Sequence, residues 1–390
     1  MKKRKILAVG GGSGGHVTPV VAVLRELNTQ HSNIEIRFWC DKKFAPQAKG
    51  IMRDFDATVK VDTILAGKLR RYHHLTLLQH FTIPSVIFPN IRDFLLVIIG
   101  TIQSIMKLIV WRPDVVFTKG GYVCLPVGWA AGILRIPLVI HDSDAHPGLT
   151  NRLLARPATV IATGAPLEYY SYPSSKSVYV GTPINAAFQP IDKEEQRLLK
   201  TSLGFRADRP LVVVTGGGLG ARLINDMVAY QLDKYLDITN LILISGNDQY
   251  DELRAITPVS DERFQLHGFV SKNMREMLAA ADVVVARAGA TTLLELAALA
   301  KPTVLVPNGR LTGGHQLKNA KVYADKNAVV IVDDERFNDP EDTSLYDAVA
   351  SVILDEKQCD ILSKNIHAFA KPKAAHKMAQ IILKAAENNA

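Results

Sequence analysis

Residues 10–19 read GGGSGGHVTP, five glycines followed at once by a histidine. Glycines let backbone N–H groups close on an anion, and a helix starting there aims its N-terminus at the same point. A loop built to grip a triphosphate ends in Lys-Ser or Lys-Thr. Here His16 stands instead, and an imidazole can take a proton from a hydroxyl near neutral pH. A second loop, TGGGLGARLIN, sets Gly216, Gly217, Gly218 and Gly220 before another helix and offers a second diphosphate cradle. A third glycine turn, Gly289-Ala290, precedes Glu295, whose carboxylate can accept two ribose hydroxyls. His141, Asp142, Asp144 and His146 crowd into HDSDAHPG, but their spacing fits no zinc motif, and they read as substrate contacts. KLRRYHH, residues 68–74, is a basic cluster suited to phosphates or lipid headgroups.

These groups need a scaffold that brings loops to one edge. Apolar runs supply it: KILAV, EIRFWC, DVVFTKG, LVIHDSD and VIATG, then LVVVTGG, LILISG, FQLHGFV, DVVVARAG, TVLVPN and AVVIV. Near-continuous apolar runs between helical stretches are strands of parallel sheets covered on both faces, so the class is α/β. ILAVGGGSGGHVTPVVAVL and LVVVTGGGLGARLINDMV repeat one plan of strand, glycine loop and helix. The expectation is two Rossmann-like domains facing across a cleft, 1–182 and 183–363, with Pro183 at the break. Residues 364–390 read as a helical segment that crosses back to the first domain. Residues 94–110, FLLVIIGTIQSIMKLIV, are barely long enough to span a bilayer and contain Gln103 and Lys107. A partly buried helix with one face on a membrane is the better reading.

The 390 residues carry a formal charge of +8, unevenly divided. Residues 1–180 hold 22 Lys and Arg against 11 Asp and Glu, whereas the remainder is slightly acidic. A basic half suits anionic lipid or a phosphorylated substrate, and with no nucleic-acid motif beside it nucleic acid is not expected. Cys40, Cys124 and Cys359 lie far apart, which suggests a reducing cytoplasm and no disulfide framework. MKKRK is followed by only four apolar residues, too few for a signal core.

GGSGGHVTPVVAV, GKLRRY, RPDVVFTKGGYV, HDSDAHPGLTNRLLA, VGTPI, GGGLGARLIN, DVVVARAGATTLLELAALAKPTVLVP and HQLKNA occur in that order over nearly the whole chain. Together they resemble the MurG family of glycosyltransferase family 28. These are UDP-N-acetylglucosamine transferases that convert lipid I to lipid II in peptidoglycan synthesis. The resemblance implies a GT-B fold, an inverting sugar transfer with no metal or cofactor, and a peripheral place on the cytoplasmic face of the membrane. Another GT-B glycolipid transferase, or an enzyme like UDP-GlcNAc 2-epimerase, is the alternative.

By position in those motifs, the resemblance implies that His16 is the general base on the acceptor's hydroxyl. Gly14, Gly15, Lys68, Arg70, Arg71, Tyr122, His141 and Asp144 fall on the acceptor side. On the donor side stand Gly217, Gly218, Phe269, Val270, Arg287, Gly289, Ala290, Glu295, His315, Gln316 and Asn319. Implied partners are UDP-GlcNAc, the undecaprenyl-diphosphate acceptor, an anionic membrane surface, and proteins of cell-wall synthesis or division. Three residues depart from the family's usual pattern: Gly218 for serine, Asp142 for glutamate and Asn185 for arginine.

Overall fold

The computed structural model describes residues 3–11, 14–31, 33–69, 83–218, 220–270, 273–309 and 314–387, with backbone only for Gly14, Gly15, His16, Thr18 and Pro84. Arg70 and Arg71 lie outside the described residues. The chain forms two compact units, Met1–Asn185 with Lys373–Ala390, and Ala186–Pro372.

The first unit is built on seven parallel strands: β1 (Arg4–Val9), β2 (Ile34–Cys40), β3 (Lys60–Thr63), β4 (Val115–Thr118), β5 (Leu138–Asp142), β6 (Val160–Thr163) and β7 (Ser177–Tyr179). Their order is β3-β2-β1-β4-β5-β6-β7. Ile6 and Ala8 of β1 enter one core with Leu24, Leu27 and Met52, while Leu7 and Val9 enter the other with Val97, Leu108 and Trp39. Burial on both faces is why the strand reads as an unbroken apolar run. Helix Ala374–Glu387 sends Met378 and Ile382 into the first of these cores, and Arg4 reaches Glu387 at 2.9 Å. Lys364 was expected to begin this return, but helix Glu356–His367 stays with the second unit, burying Leu362 and Ile366.

Six parallel strands make the second unit: β8 (Leu211–Thr215), β9 (Asn240–Ile244), β10 (Phe264–His267), β11 (Val283–Ala286), β12 (Thr303–Leu305) and β13 (Val330–Ile331), in the order β10-β9-β8-β11-β12-β13. In both units the strand order reverses beside the first strand, between β1 and β4 and between β8 and β11. At such a switch point the flanking loops diverge and leave a crevice at the carboxyl ends of the strands. Every glycine turn singled out in the sequence leaves a strand at one of these two edges.

Candidate functional sites at the two sheet edges

In the first unit, β1 runs through Gly10 and Gly11 towards helix Gly14–Gln30, so His16 lies in that helix's first turn. A Cβ on Gly11 would come within 2.7 Å of the Asp41 carboxylate, so glycine lets the chain pass the end of β2 without displacing that side chain. Lys119 follows the end of β4, and Gly120 and Gly121 both take positive φ, 87° and 89°, to turn the chain to Tyr122. The Tyr122 hydroxyl bonds to Asp41, and burial with that negative charge pushes the phenol up to about 12.

β5 delivers His141 and Asp142. His141 is fully buried, with Nε2 2.9 Å from the Gly181 carbonyl and Nδ1 3.2 Å from Ser143 Oγ. A carbonyl only accepts, so the partners assign the proton to Nε2, and Nδ1 accepts from the Ser143 hydroxyl. That hydroxyl oxygen in turn takes a hydrogen bond from the Lys119 ammonium. Burial, aided by the nearby Lys119 charge, pushes His141 down to about 3, so the ring is neutral. The sequence expectation set His141 against the acceptor. With both nitrogens committed and no exposed surface, it instead holds the loop that carries Asp144.

Asp142 accepts from the Tyr172 hydroxyl at 2.7 Å and from the Gly148 N–H at 3.2 Å, and burial pushes it up to about 7. Lys119 is buried and brought down to about 8, an effect that Asp144 and Asp142 partly oppose. Lys119 is absent from the sequence expectations. Its signal was a charge directly after the short run VVFT, which is buried throughout. Asp144 itself is half-buried, and its carbonyl accepts from the Tyr170 hydroxyl at 2.6 Å. Lys68 is exposed, beyond the end of β3. Among the described residues no three His, Cys, Asp or Glu side chains are grouped to hold a metal.

In the second unit, the loop after β8 turns through Gly217 and Gly220 at φ 79° and 75°. A side chain on Gly220 would run into the Ser245 carbonyl, whereas a Cβ on Gly218 meets nothing within 4 Å. Beyond β10, Phe269 is 56% exposed and Val270 is half-buried beside it. Beyond β11, Gly289 caps helix Ala290–Ala298, leaving that helix's first N–H groups open at the sheet edge.

Glu295 stands in the second turn of that helix, half-buried. No hydrogen-bond partner meets its carboxylate among the described residues, and burial alone pushes it up to about 7. Two other expected donor residues are occupied in holding this turn, and a third ties its helix to the loop after β12. Arg287 donates to the Val306 carbonyl at 3.0 Å and to Asp334 at 2.6 Å, Asn319 donates to the Ala288 carbonyl at 3.0 Å, and the Gln316 side-chain Oε1 accepts from the Asn308 N–H at 2.8 Å. Arg287 is thus a buried tie between β11, β12 and the residues after β13, with its charge spent on Asp334. His315 opens helix His315–Ala324.

Two Rossmann-like units of this kind, each with a glycine loop behind its first strand, define a GT-B architecture. The family models agree: the glycosyltransferase family 28 N-terminal domain matches residues 6–163 and its C-terminal domain residues 211–381. The chain belongs to glycosyltransferase family 28 and is a glycosyltransferase. It is 32% identical over 335 residues to the UDP-N-acetylglucosamine–N-acetylmuramyl-(pentapeptide) pyrophosphoryl-undecaprenol N-acetylglucosamine transferase of Clostridium kluyveri, covering 85% of this chain and 87% of that one. In fold it is similar to the crystal structure of Acinetobacter baumannii MurG, with TM-score 0.71, 23% identity, and coverage of 98% and 99% of the two chains. A UDP-N-acetylglucosamine 2-epimerase also shares the fold, with TM-score 0.63 at 11% identity, over 98% of this chain and 96% of that one.

Proposed function

We propose that this chain transfers N-acetylglucosamine from UDP-N-acetylglucosamine to the 4-hydroxyl of N-acetylmuramic acid in lipid I, making lipid II with inversion at the sugar. The observation that supports it most is Glu295, a half-buried carboxylate without a partner among the described residues, placed one turn behind an open helix N-terminus. A ribose diol satisfies such a carboxylate, and the helix end receives the phosphate or sugar oxygens beside it. Phe269 and Val270 offer apolar surface for the uracil. The loop at Gly217 and Gly218 presents backbone N–H groups to the diphosphate. His315 and Gln316 serve the sugar, while Arg287 and Asn319 act by fixing the turn that Gly289 and Ala290 form.

On the acceptor, His16 takes the proton of the 4-hydroxyl as its oxygen bonds to the sugar's anomeric carbon and the bond to UDP breaks. The charge that gathers on the departing UDP is met by loop N–H groups and helix N-termini, so the reading needs no metal and no cofactor. Gly14, Gly15, Tyr122, Asp144 and the basic residues Lys68, Arg70 and Arg71 serve the acceptor and its diphosphate. The lipid tail calls for a bilayer. Helix Pro84–Val110 presents Ile91, Leu95, Ile98, Ile102, Met106 and Ile109 to solvent in one stripe, which suits peripheral attachment to an anionic membrane face.

The test is radiolabelled UDP-GlcNAc with a short-chain lipid I analogue in EDTA. Labelled disaccharide-lipid is the expected product. UDP-GlcNAc bound without transfer would move the acceptor elsewhere, and UDP-GlcNAc consumed without lipid would point to epimerase chemistry.

A further inference from the structure

Helix Pro84–Val110 has two faces of different chemistry. Its outer stripe is wholly apolar, yet the helix also carries Asp93, Gly100, Gln103 and Lys107. At 100° per residue these four fall together on the side opposite that stripe. Each of them meets the extended segment that leaves β3. Lys107 Nζ donates to the Thr63 carbonyl at 3.2 Å, and Gln103 Oε1 accepts from the Leu65 N–H at 2.9 Å. Gly100 lets the Leu65 carbonyl lie against the helix backbone, where a Cβ would collide with it. Gly67 does the same against the Asp93 backbone. Between these ties Ile64 plunges into the core, while Leu65 points out and is 44% exposed. The segment is therefore held to the helix by two hydrogen bonds and lies against its backbone at two glycines, and it runs directly into Lys68.

We propose that Gly100, Gln103 and Lys107 are positioning residues for the lipid-linked acceptor: they clamp residues 63–69 to the membrane-facing helix, so that bilayer docking fixes where Lys68 meets the acceptor's phosphates. This rests on the transferase reading above. It explains why Gln103 and Lys107 persist in a helix otherwise apolar enough to enter a membrane. They are backbone clamps on its inner face.

The test compares Gln103→Leu with Gln103→Glu, which keeps an acceptor for the Leu65 N–H, and uses Gly100→Ala as a second break in the clamp. Hydrogen exchange at residues 63–69 is followed with and without vesicles of phosphatidylglycerol and phosphatidylethanolamine, alongside KM for both substrates and the unfolding midpoint. Vesicles should slow exchange in the wild type. In Gln103→Leu that protection should be lost, with Leu65 exchanging about tenfold faster. Acceptor KM should rise about fivefold at constant donor KM, and Gln103→Glu should restore both readouts. If vesicles leave exchange unchanged in the wild type, or Gln103→Leu raises both KM values equally, the clamp is wrong. Wild type that transfers nothing to lipid I would overturn the transferase reading instead, and the exchange measurement would still decide the clamp.

Discussion

Glu295 carries a stability cost that a ribose diol, in the proposed donor site, would offset. Its folded pKa of about 7 lies above its ordinary value of 4.5, because burial disfavours the charged form. A raised pKa means the stabilising contribution of the neutral acid is complete below pH 4.5 and is lost as pH rises through 7. Glu295→Gln removes that loss. The ligand-free variant should match the wild type near pH 4.5 and exceed it by roughly 3 kcal/mol at pH 8, as seen in denaturant melts. Donor binding should move the other way. Calorimetry with UDP should show affinity falling about tenfold or more in the variant, because the neutral amide is a weaker acceptor for the ribose hydroxyls. Equal affinities would remove Glu295 from the donor site. The position of Glu295 behind a glycine turn was legible in sequence. His141 was not, because spacing alone cannot distinguish a histidine that faces a ligand from one whose two nitrogens are already taken by Gly181 and Ser143.

Among the elements, strands with continuous apolar runs were readable because burial on both faces writes itself into every residue. β3, KVDT, and β7, SVY, carry no such run and appear only in the structure. Both are sheet edges, paired on one side, and their half-exposed residues are free to be polar. The glycine loops were legible too, but which glycine is indispensable was not. Gly220→Ala combines a left-handed backbone with a collision at the Ser245 carbonyl and should cost about 2 kcal/mol or more in unfolding free energy. Gly218→Ser meets open space, so stability should stay within about 0.5 kcal/mol. Its added hydroxyl should tighten UDP severalfold through one further hydrogen bond to the diphosphate. A Gly218→Ser protein that unfolds early would contradict the loop as described.

At the scale of the whole molecule, the positive balance of residues 1–180 and the apolar outer stripe of helix Pro84–Val110 belong to the same unit. Composition had exposed the charge, and hydropathy the helix, but only the fold separates its outer stripe from the polar side that holds residues 63–67. Replacing Ile102 and Met106, 54% and 58% exposed, by aspartate removes no core packing and sets charge where acyl chains would lie. Co-sedimentation with anionic vesicles should fall at least tenfold while UDP binding is unchanged; undiminished sedimentation would place the membrane face elsewhere. The proposed transfer turns on His16 as general base on the acceptor's 4-hydroxyl. It is tested most directly by single-turnover transfer to a lipid I analogue at saturating UDP-GlcNAc, comparing wild type with His16→Ala. Transfer should slow by about 10² to 10⁴ with UDP-GlcNAc affinity intact; transfer at the wild-type rate would remove His16 from the chemistry.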